Sequence, residues 1–303
     1  VHTIVMTGGT RGIGRAAAAE VLRRDASAHL VLVGRAGSVR SAADALGPAR
    51  VVPVGADLAR LGDVRAATAR IGHLLDAGDV PPLRTVAANA GVQLPDALHT
   101  TDGLETTFAV NVLSVHVLLR GLEPWLRAPA RAVVTVSDTH FGDLRHNLGL
   151  VPAPRWSEPA VLARPGAFDR PGTVAAGRTA YSTSKLAAVH LVHAWARHAP
   201  AGVDVLSWNP AFVPGTGLTR AAGPATRFLN RRLLPLLART PLLDTVGTAG
   251  ASLAALLLGD LTAASGAYVD RRRVVPSSPE SYDEAREDAL WRFAEDVHAG
   301  VVV

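Results

Sequence analysis

Tyr181 and Lys185, in the run Tyr181-Ser182-Thr183-Ser184-Lys185, are four positions apart. On a helix they share one face, which sets an ammonium beside a phenol. A tyrosine ordinarily ionises near pH ~10, and a fixed positive charge favours the phenolate, bringing the group towards acid or base use near neutrality. Alone, the pair is a weak signal. It gains weight from the glycine-rich turn Thr7-Gly8-Gly9-Thr10-Arg11-Gly12-Ile13-Gly14, where Gly8, Gly12 and Gly14 follow an apolar strand and open a helix. Such a turn brings backbone amides against a pyrophosphate at the positive end of a helix, with Thr10, Arg11 and Ile13 beside it. The second apolar strand, Leu30-Val31-Leu32-Val33, ends in Gly34-Arg35, where an acidic residue would bind the ribose 2′-hydroxyl of NAD. Arg35 suits a 2′-phosphate instead, Arg11 adds a second positive charge, and NADP(H) is the cofactor expected.

These residues need a scaffold that brings strand ends together. Short apolar runs alternate with longer alanine-rich amphipathic segments, the pattern of a parallel sheet covered on both faces. Strands are expected over Thr3–Met6, His29–Val33, Val51–Val54, Thr85–Ala88, Ala132–Val136, Val203–Ser207 and Ala267–Val269. Helices are expected over Ile13–Arg24, Leu61–Ala77, Thr106–Leu122, Ala180–Arg197 and Thr245–Leu258. The fold class is therefore α/β: one doubly wound, Rossmann-type domain over residues 1–303, with a seven-stranded parallel sheet. Three stretches lie outside that plan: an insert, 141–178; a leucine- and arginine-rich lid, 212–240, helical from about Ala225 to Ala238; and a tail, 274–303. The insert and the lid follow the fifth and sixth strands, and ligands of such sheets bind beyond the carboxyl ends of the strands, so both are expected to line the substrate cavity.

The set resembles the short-chain dehydrogenase/reductase family over essentially the whole chain. Gly8, Gly12 and Gly14 match its cofactor turn, Asp57-Leu58 its adenine contact and Asn89-Ala90-Gly91 its motif after the fourth strand; Asn111, Tyr181 and Lys185 match its catalytic positions. Within the family the pattern is most similar to the branch of retinol dehydrogenases and light-dependent protochlorophyllide reductases. That similarity rests on Asn209-Pro210-Ala211-Phe212-Val213-Pro214-Gly215-Thr216-Gly217-Leu218, the insert before Tyr181, Pro276-Ser277-Ser278 and Leu290-Trp291. It implies cofactor contacts at Pro210, Phe212 and Val213, and a catalysis in which Tyr181 protonates a developing alkoxide. Lys185 would lower the phenol's pKa and hold the nicotinamide ribose, and Asn111 would support the water chain that reloads the proton.

Two positions depart from the family pattern. A serine at the end of the fifth strand ordinarily holds the substrate carbonyl, and an ungapped count from Asn111 through Val133-Val134-Thr135-Val136 puts Asp138 there and Ser137 one residue early. Neighbours on a strand point to opposite faces, so Ser137 would need a bulge or deletion to take the place. A protonated Asp138 donates to a carbonyl, whereas an ionised one is a base. The second departure is Ala211, where glycine is usual.

Composition bounds the rest. Hydrophobic residues are 48% and charged ones 19% of 303 residues, enough apolar content for a large core. The net charge of +5 is spread along the chain, and the one tight basic run, Arg271-Arg272-Arg273, has no interleaved aromatics, so no nucleic-acid partner is expected. With no cysteine, disulfides, thiolate metal sites and cysteine nucleophiles are excluded, and the absence also argues against the protochlorophyllide reaction itself. No histidine–carboxylate set has metal spacing and no Gly-x-Ser-x-Gly elbow is present. His140 and His146, after the fifth strand, are candidates for orienting a substrate. No leader and no apolar run of ~18 residues are seen, so a cytoplasmic location without integral membrane association is expected, with self-association left open. The activity expected is NADPH-dependent reduction of a ketone on a bulky apolar or polycyclic compound, as in antibiotic and other secondary metabolism. Two alternatives stay open: a redox-neutral epimerase, cyclase or dehydratase using Asp138, and a nucleotide-sensing binding protein.

Overall fold

The computed structural model describes residues 1–95, 98–147, 149, 151–213 and 244–301. The expected lid helix, including Leu229, Leu233 and Arg231, lies outside them. Apolar runs buried on both faces form the centre of the sheet: β1 (His2–Thr7), β2 (Ala28–Gly34), β3 (Val51–Gly55), β4 (Leu83–Ala88), β5 (Ala130–Thr135), β6 (Val203–Asn209) and β7 (Tyr268–Asp270). They are parallel, and with β8 (Arg273–Val275) the order is β3-β2-β1-β4-β5-β6-β7-β8. The expected seven strands thus become eight. β8 pairs antiparallel with β7 because the chain reverses at Arg271, whose φ is +56°.

On one face pack α1 (Gly12–Arg24), α2 (Ala36–Leu46) and α9 (Val246–Leu258), burying Ala17, Val21, Val39, Leu253 and Leu257 against Ile4, Leu30 and Trp208. On the other face pack α3 (Leu61–Asp76), α5 (Ser114–Leu122) and the long α8 (Val174–His198), which bury Ile71, Leu118 and Leu191 against Val31, Val86 and Val134. The tail, expected to fall outside the α/β plan, supplies β8 and then α10 (Glu284–Ala299), which packs on α5 and α8 with Leu290, Ala294 and Val297 fully buried.

Two helices differ from expectation where it matters for the site. The segment expected as one helix over Thr106–Leu122 begins as a short α4 (Thr106–Phe108), widens to a π-helical turn at Ala109–Leu113, and resumes as α5. Glu105, buried, opens it by accepting from the amides of Thr107 and Phe108. Helix α8 starts at Val174, capped by Thr173, about two turns before the expected Ala180. The insert supplies those turns.

The rest of the insert is not a cover over the strand ends. Residues 141–147, with α6 (Leu144–Asn147), stay beside the end of β5. The following stretch runs along α8: the Arg155 amide donates to Thr183 Oγ1 (2.9 Å), and Trp156 meets His190 edge-on at 4.7 Å. His190 lies nine residues beyond Tyr181, roughly 13 Å along the helix axis. Through α7 (Pro159–Leu162) the insert then buries Leu162, Ala163 and Phe168 in the core. Of the insert, its first residues lie beside the end of β5. The apolar side chains of the remainder find more burial against α8 than over a polar site.

Candidate active site

The glycine turn joins β1 to α1. A Cβ on Gly14 would stand 2.3 Å from the Gly8 carbonyl oxygen, and one on Gly8 would stand 2.8 Å from Asn89 Nδ2, so these two glycines let turn, helix and β4 close on one another. Gly12 differs: its φ is +54° and nothing lies within 4 Å of where a Cβ would be, leaving open space outside the turn. Arg11 precedes the helix as its cap but makes no side-chain capping bond, so the first amides of α1 have no such acceptor. Free amides at a helix start, beneath an open glycine, fit a dinucleotide pyrophosphate.

Arg35 stands at the start of α2, exposed and without a side-chain capping bond; Arg11 is exposed as well. Asp57 Oδ1 accepts from the Ala59 amide at 3.1 Å, while Leu58 packs on the core behind it. Asn89 ties three strands together: its Nδ2 reaches the Thr7 and Gly8 carbonyls at 3.5 Å, and its Oδ1 accepts from Thr135 Oγ1 at 3.1 Å. The Ala90 amide donates to Thr7 Oγ1 at 3.0 Å. Pro210, Phe212 and Val213 follow β6, and Ala211 between them is held at φ +62°.

The π-helical turn positions Asn111. Its Oδ1 accepts from the Val92 amide at 2.8 Å, and its Nδ2 donates to the Val92 carbonyl at 3.0 Å and to Ser184 Oγ at 2.9 Å. A single-turn π-bulge inside an α-helix often marks a functional site, because it re-aims one side chain without ending the helix. Gly91 sits between two of these groups: a Cβ there would lie 3.3 Å from both Asn111 Oδ1 and Lys185 Nζ.

Tyr181 and Lys185 share the inner face of α8, at 5% and 4% exposure. Lys185 Nζ donates to the Thr135 carbonyl at 2.8 Å and stands 5.7 Å from the Tyr181 ring centre. Burial pushes the phenol up to about 12, opposed by its hydrogen bond to Ser137 and reinforced by the Asp138 carboxyl. Burial also lowers Lys185 to about 8. In the free protein, burial is the largest influence on both groups.

Ser137 and Asp138 both lie close to the phenol, the first lowering and the second raising its pKa. The Asp138 Oδ1 accepts from Asn209 Nδ2 at 2.6 Å and from the Tyr268 hydroxyl at 2.8 Å, anchored to the ends of β6 and β7. Burial raises its pKa, with the Tyr268 hydrogen bond opposing. The strand rule that favoured Asp138 stops applying because β5 ends at Thr135. Ser137 is an extended residue (φ −161°, ψ 150°) capping the 3₁₀ turn Asp138–Phe141, its Oγ accepting from the Thr139 amide at 3.4 Å.

Both flanking histidines pack against Phe141. His140 is buried between Phe141 and Tyr268, at ring distances of 4.3 and 5.1 Å. His146 stacks on Phe141 at 3.8 Å and pairs with Asp143 at 2.8 Å. Sequence reasoning gave no site role to Ser184, Asn209, Tyr268 or Ser278, all of which bond residues of this site; Ser184, Asn209 and Ser278 lay within motifs it quoted, and Tyr268 did not. Among the described residues no group of three or more histidines and carboxylates could hold a metal.

The geometry is that of a nucleotide turn beside a Ser–Tyr–Lys cluster, and a family model described as short chain dehydrogenase matches residues 2–141. Over those residues the chain is similar to the short-chain dehydrogenase/reductase family. The chain is 29% identical over 280 residues to the oxidoreductase calI of Penicillium decumbens, covering 88% of this chain and 75% of that one. It is 35% identical over 144 residues to DnrU of Streptomyces sp. strain C5, named as a candidate daunorubicin C-13 ketoreductase; that match spans 46% of this chain and 47% of the relative. The NADPH-bound carbonyl reductase from chicken fatty liver superposes with a TM-score of 0.60 at 16% identity, over 91% of this chain and 98% of that one, a likeness of fold. The sheet is of the Rossmann type that these neighbours share. Among the described residues no helix is long and apolar enough to cross a membrane.

Proposed function

We propose that this protein is an NADPH-dependent ketoreductase acting on a bulky, apolar, secondary-metabolite-like carbonyl compound. The observation that carries the reading is the buried Tyr181–Lys185 pair, with the Lys185 ammonium 5.7 Å from the phenol ring and Ser137 close enough to the phenol to lower its pKa. The Ser137 hydroxyl donates to the substrate carbonyl oxygen and fixes it beside Tyr181. A dinucleotide held at the glycine turn would supply the hydride for the carbonyl carbon. As charge builds on the oxygen, the Tyr181 O–H delivers its proton, so a phenol held neutral by burial is the form the reduction needs. Lys185, cationic below about 8, stabilises the phenolate left behind. Asn111 holds Val92 and Ser184 in place around that ammonium.

Preference for NADPH is supported by Arg35 and Arg11, both exposed at the mouth of the nucleotide turn. Apolar substrate preference is supported by Leu98, Leu144 and Phe212, at 47%, 75% and 40% exposure, which follow β4, β5 and β6 at their carboxyl ends. The kinship with DnrU points the same way. Asp138 serves in this account as an anchor for the Ser137 turn. NADPH oxidation by the purified protein, followed at 340 nm against a panel of polycyclic ketones and quinones, tests the reading: carbonyl-dependent oxidation is expected, faster with NADPH than with NADH. No oxidation with any carbonyl, despite tight cofactor binding, would count against it.

A further inference from the structure

His140 lies outside the mechanism above, yet it is 1% exposed and both ring nitrogens are occupied. Nε2 accepts from the backbone amide of Ser278 at 3.1 Å, so Nε2 carries the lone pair and the ring proton is on Nδ1. Nδ1 lies 2.6 Å from the carbonyl oxygen of Ser137, to which it donates. One neutral imidazole therefore bridges the C-terminal segment, 138 residues away in sequence, to the residue whose hydroxyl meets Tyr181. Phe141 and Tyr268 flank the ring, and Tyr268 also holds Asp138, the next residue after the serine. Burial keeps the His140 pKa down near about 4, so the tautomer persists at neutral pH.

We propose that His140 is a positioning residue that couples the C-terminal segment at Ser278 to the backbone of Ser137 and so sets where the Ser137 hydroxyl stands. The proposal rests on the reading of Ser137 as the carbonyl-holding group. Without the bridge, Ser137 would keep only the bonds of its own short turn, and its hydroxyl would wander relative to Tyr181. Misplacement of a catalytic group by as little as ~1 Å can cost on the order of 10²-fold in rate.

Ser278 allows a narrow test. Its φ is −61°, which proline adopts, and its own hydroxyl has no partner among the described residues, so Ser278→Pro removes chiefly the amide that His140 accepts. Ser278→Ala keeps that amide. His140→Gln keeps an acceptor near the Nε2 position and loses the donor to Ser137. Each variant is assayed for NADPH oxidation with 9,10-phenanthrenequinone, for NADPH affinity and for Tm. Ser278→Pro is expected to lower kcat at least about fivefold, and His140→Gln at least about tenfold, with NADPH affinity within about twofold of wild type. Ser278→Ala should match wild type. In ¹⁵N spectra of the wild-type protein without substrate, His140 should show a protonated Nδ1 and a bare Nε2. A wild-type kcat in Ser278→Pro and His140→Gln, even with a lowered Tm, would overturn the coupling while an inactive Ser137→Ala leaves the ketoreductase reading standing. A fully active Ser137→Ala would overturn the reading and the coupling together, and a proton on Nε2 would overturn the coupling alone.

Discussion

At the scale of single residues, charge and desolvation oppose each other in ways the free protein makes visible. Arg35 is exposed, so its worth to a 2′-phosphate is discounted for solvent, and Arg35→Ala is expected to weaken NADPH binding by about tenfold while leaving NADH affinity unchanged. Titration calorimetry with both cofactors measures this; equal losses for the two would count against the assignment. Lys185 is a second case. Its pKa falls from 10.5 in the unfolded chain to about 8 in the fold, so between those values the unfolded state holds the extra proton. Stability of the cofactor-free protein should therefore rise with pH across that window, and Lys185→Met should flatten the rise. Urea denaturation between pH 7.5 and 10.5 reads the slope. The Tyr181–Lys185 pair and the glycine turn were legible in sequence because both depend on local spacing. The sign of the phenol's shift was not, because it depends on how completely the site is buried.

At the scale of elements, the informative places are where regular structure stops. β5 ends at Thr135, and the turn after it decides which of Ser137 and Asp138 faces Tyr181. Counting along a strand reads alternation well inside the strand and loses meaning one residue past its end, which is why the sequence favoured Asp138. Asp138→Ala, by leaving Asn209 Nδ2 and the Tyr268 hydroxyl without their shared acceptor, should cost about 1–3 kcal/mol of stability. Asp138→Asn keeps an acceptor oxygen and should retain kcat within a few-fold; a collapse of turnover there would revive a carboxylate mechanism. Ala211 is the other such place, holding a left-handed φ of +62° after β6. Ala211→Gly relieves that strain and should raise stability by up to about 1 kcal/mol, read as a higher denaturation midpoint. The π-helical turn at Asn111 had no sequence signature, since a helical period of apolar residues continues through it.

At the scale of the whole molecule, the C-terminal third does more than the sequence suggested. The tail closes the sheet with β8, covers α5 and α8 with α10 and reaches His140 at Ser278. Its helix carries few apolar residues per turn, so periodicity gave little sign of it, whereas the central strands announced themselves by continuous apolar runs. The insert likewise packs Trp156 against His190, whose two ring nitrogens have no hydrogen-bond partner among the described residues. Burial lowers His140 and His190 to about 4 and also lowers His116, so the unfolded chain takes up protons at these sites that the fold does not. Stability is accordingly expected to fall as pH drops from the ordinary histidine value of 6.5 towards 4. His190→Leu should blunt that fall and raise stability at neutral pH by about 1 kcal/mol or more, since it replaces an unpartnered buried polar ring with an apolar side chain. Thermal denaturation of both proteins from pH 4 to 7.5 checks it, and an unchanged acid limb would show that other groups govern it.

The central claim is that Tyr181 gives the proton in a carbonyl reduction supported by a nucleotide site it does not itself build. Tyr181→Phe removes one hydroxyl from the Ser137–Tyr181 pair and nothing from the glycine turn. Measured together on that variant, the NADPH dissociation constant should stay within about threefold of wild type while kcat falls by at least about 10³-fold. Turnover near the wild-type rate in Tyr181→Phe, with NADPH still bound, would contradict it.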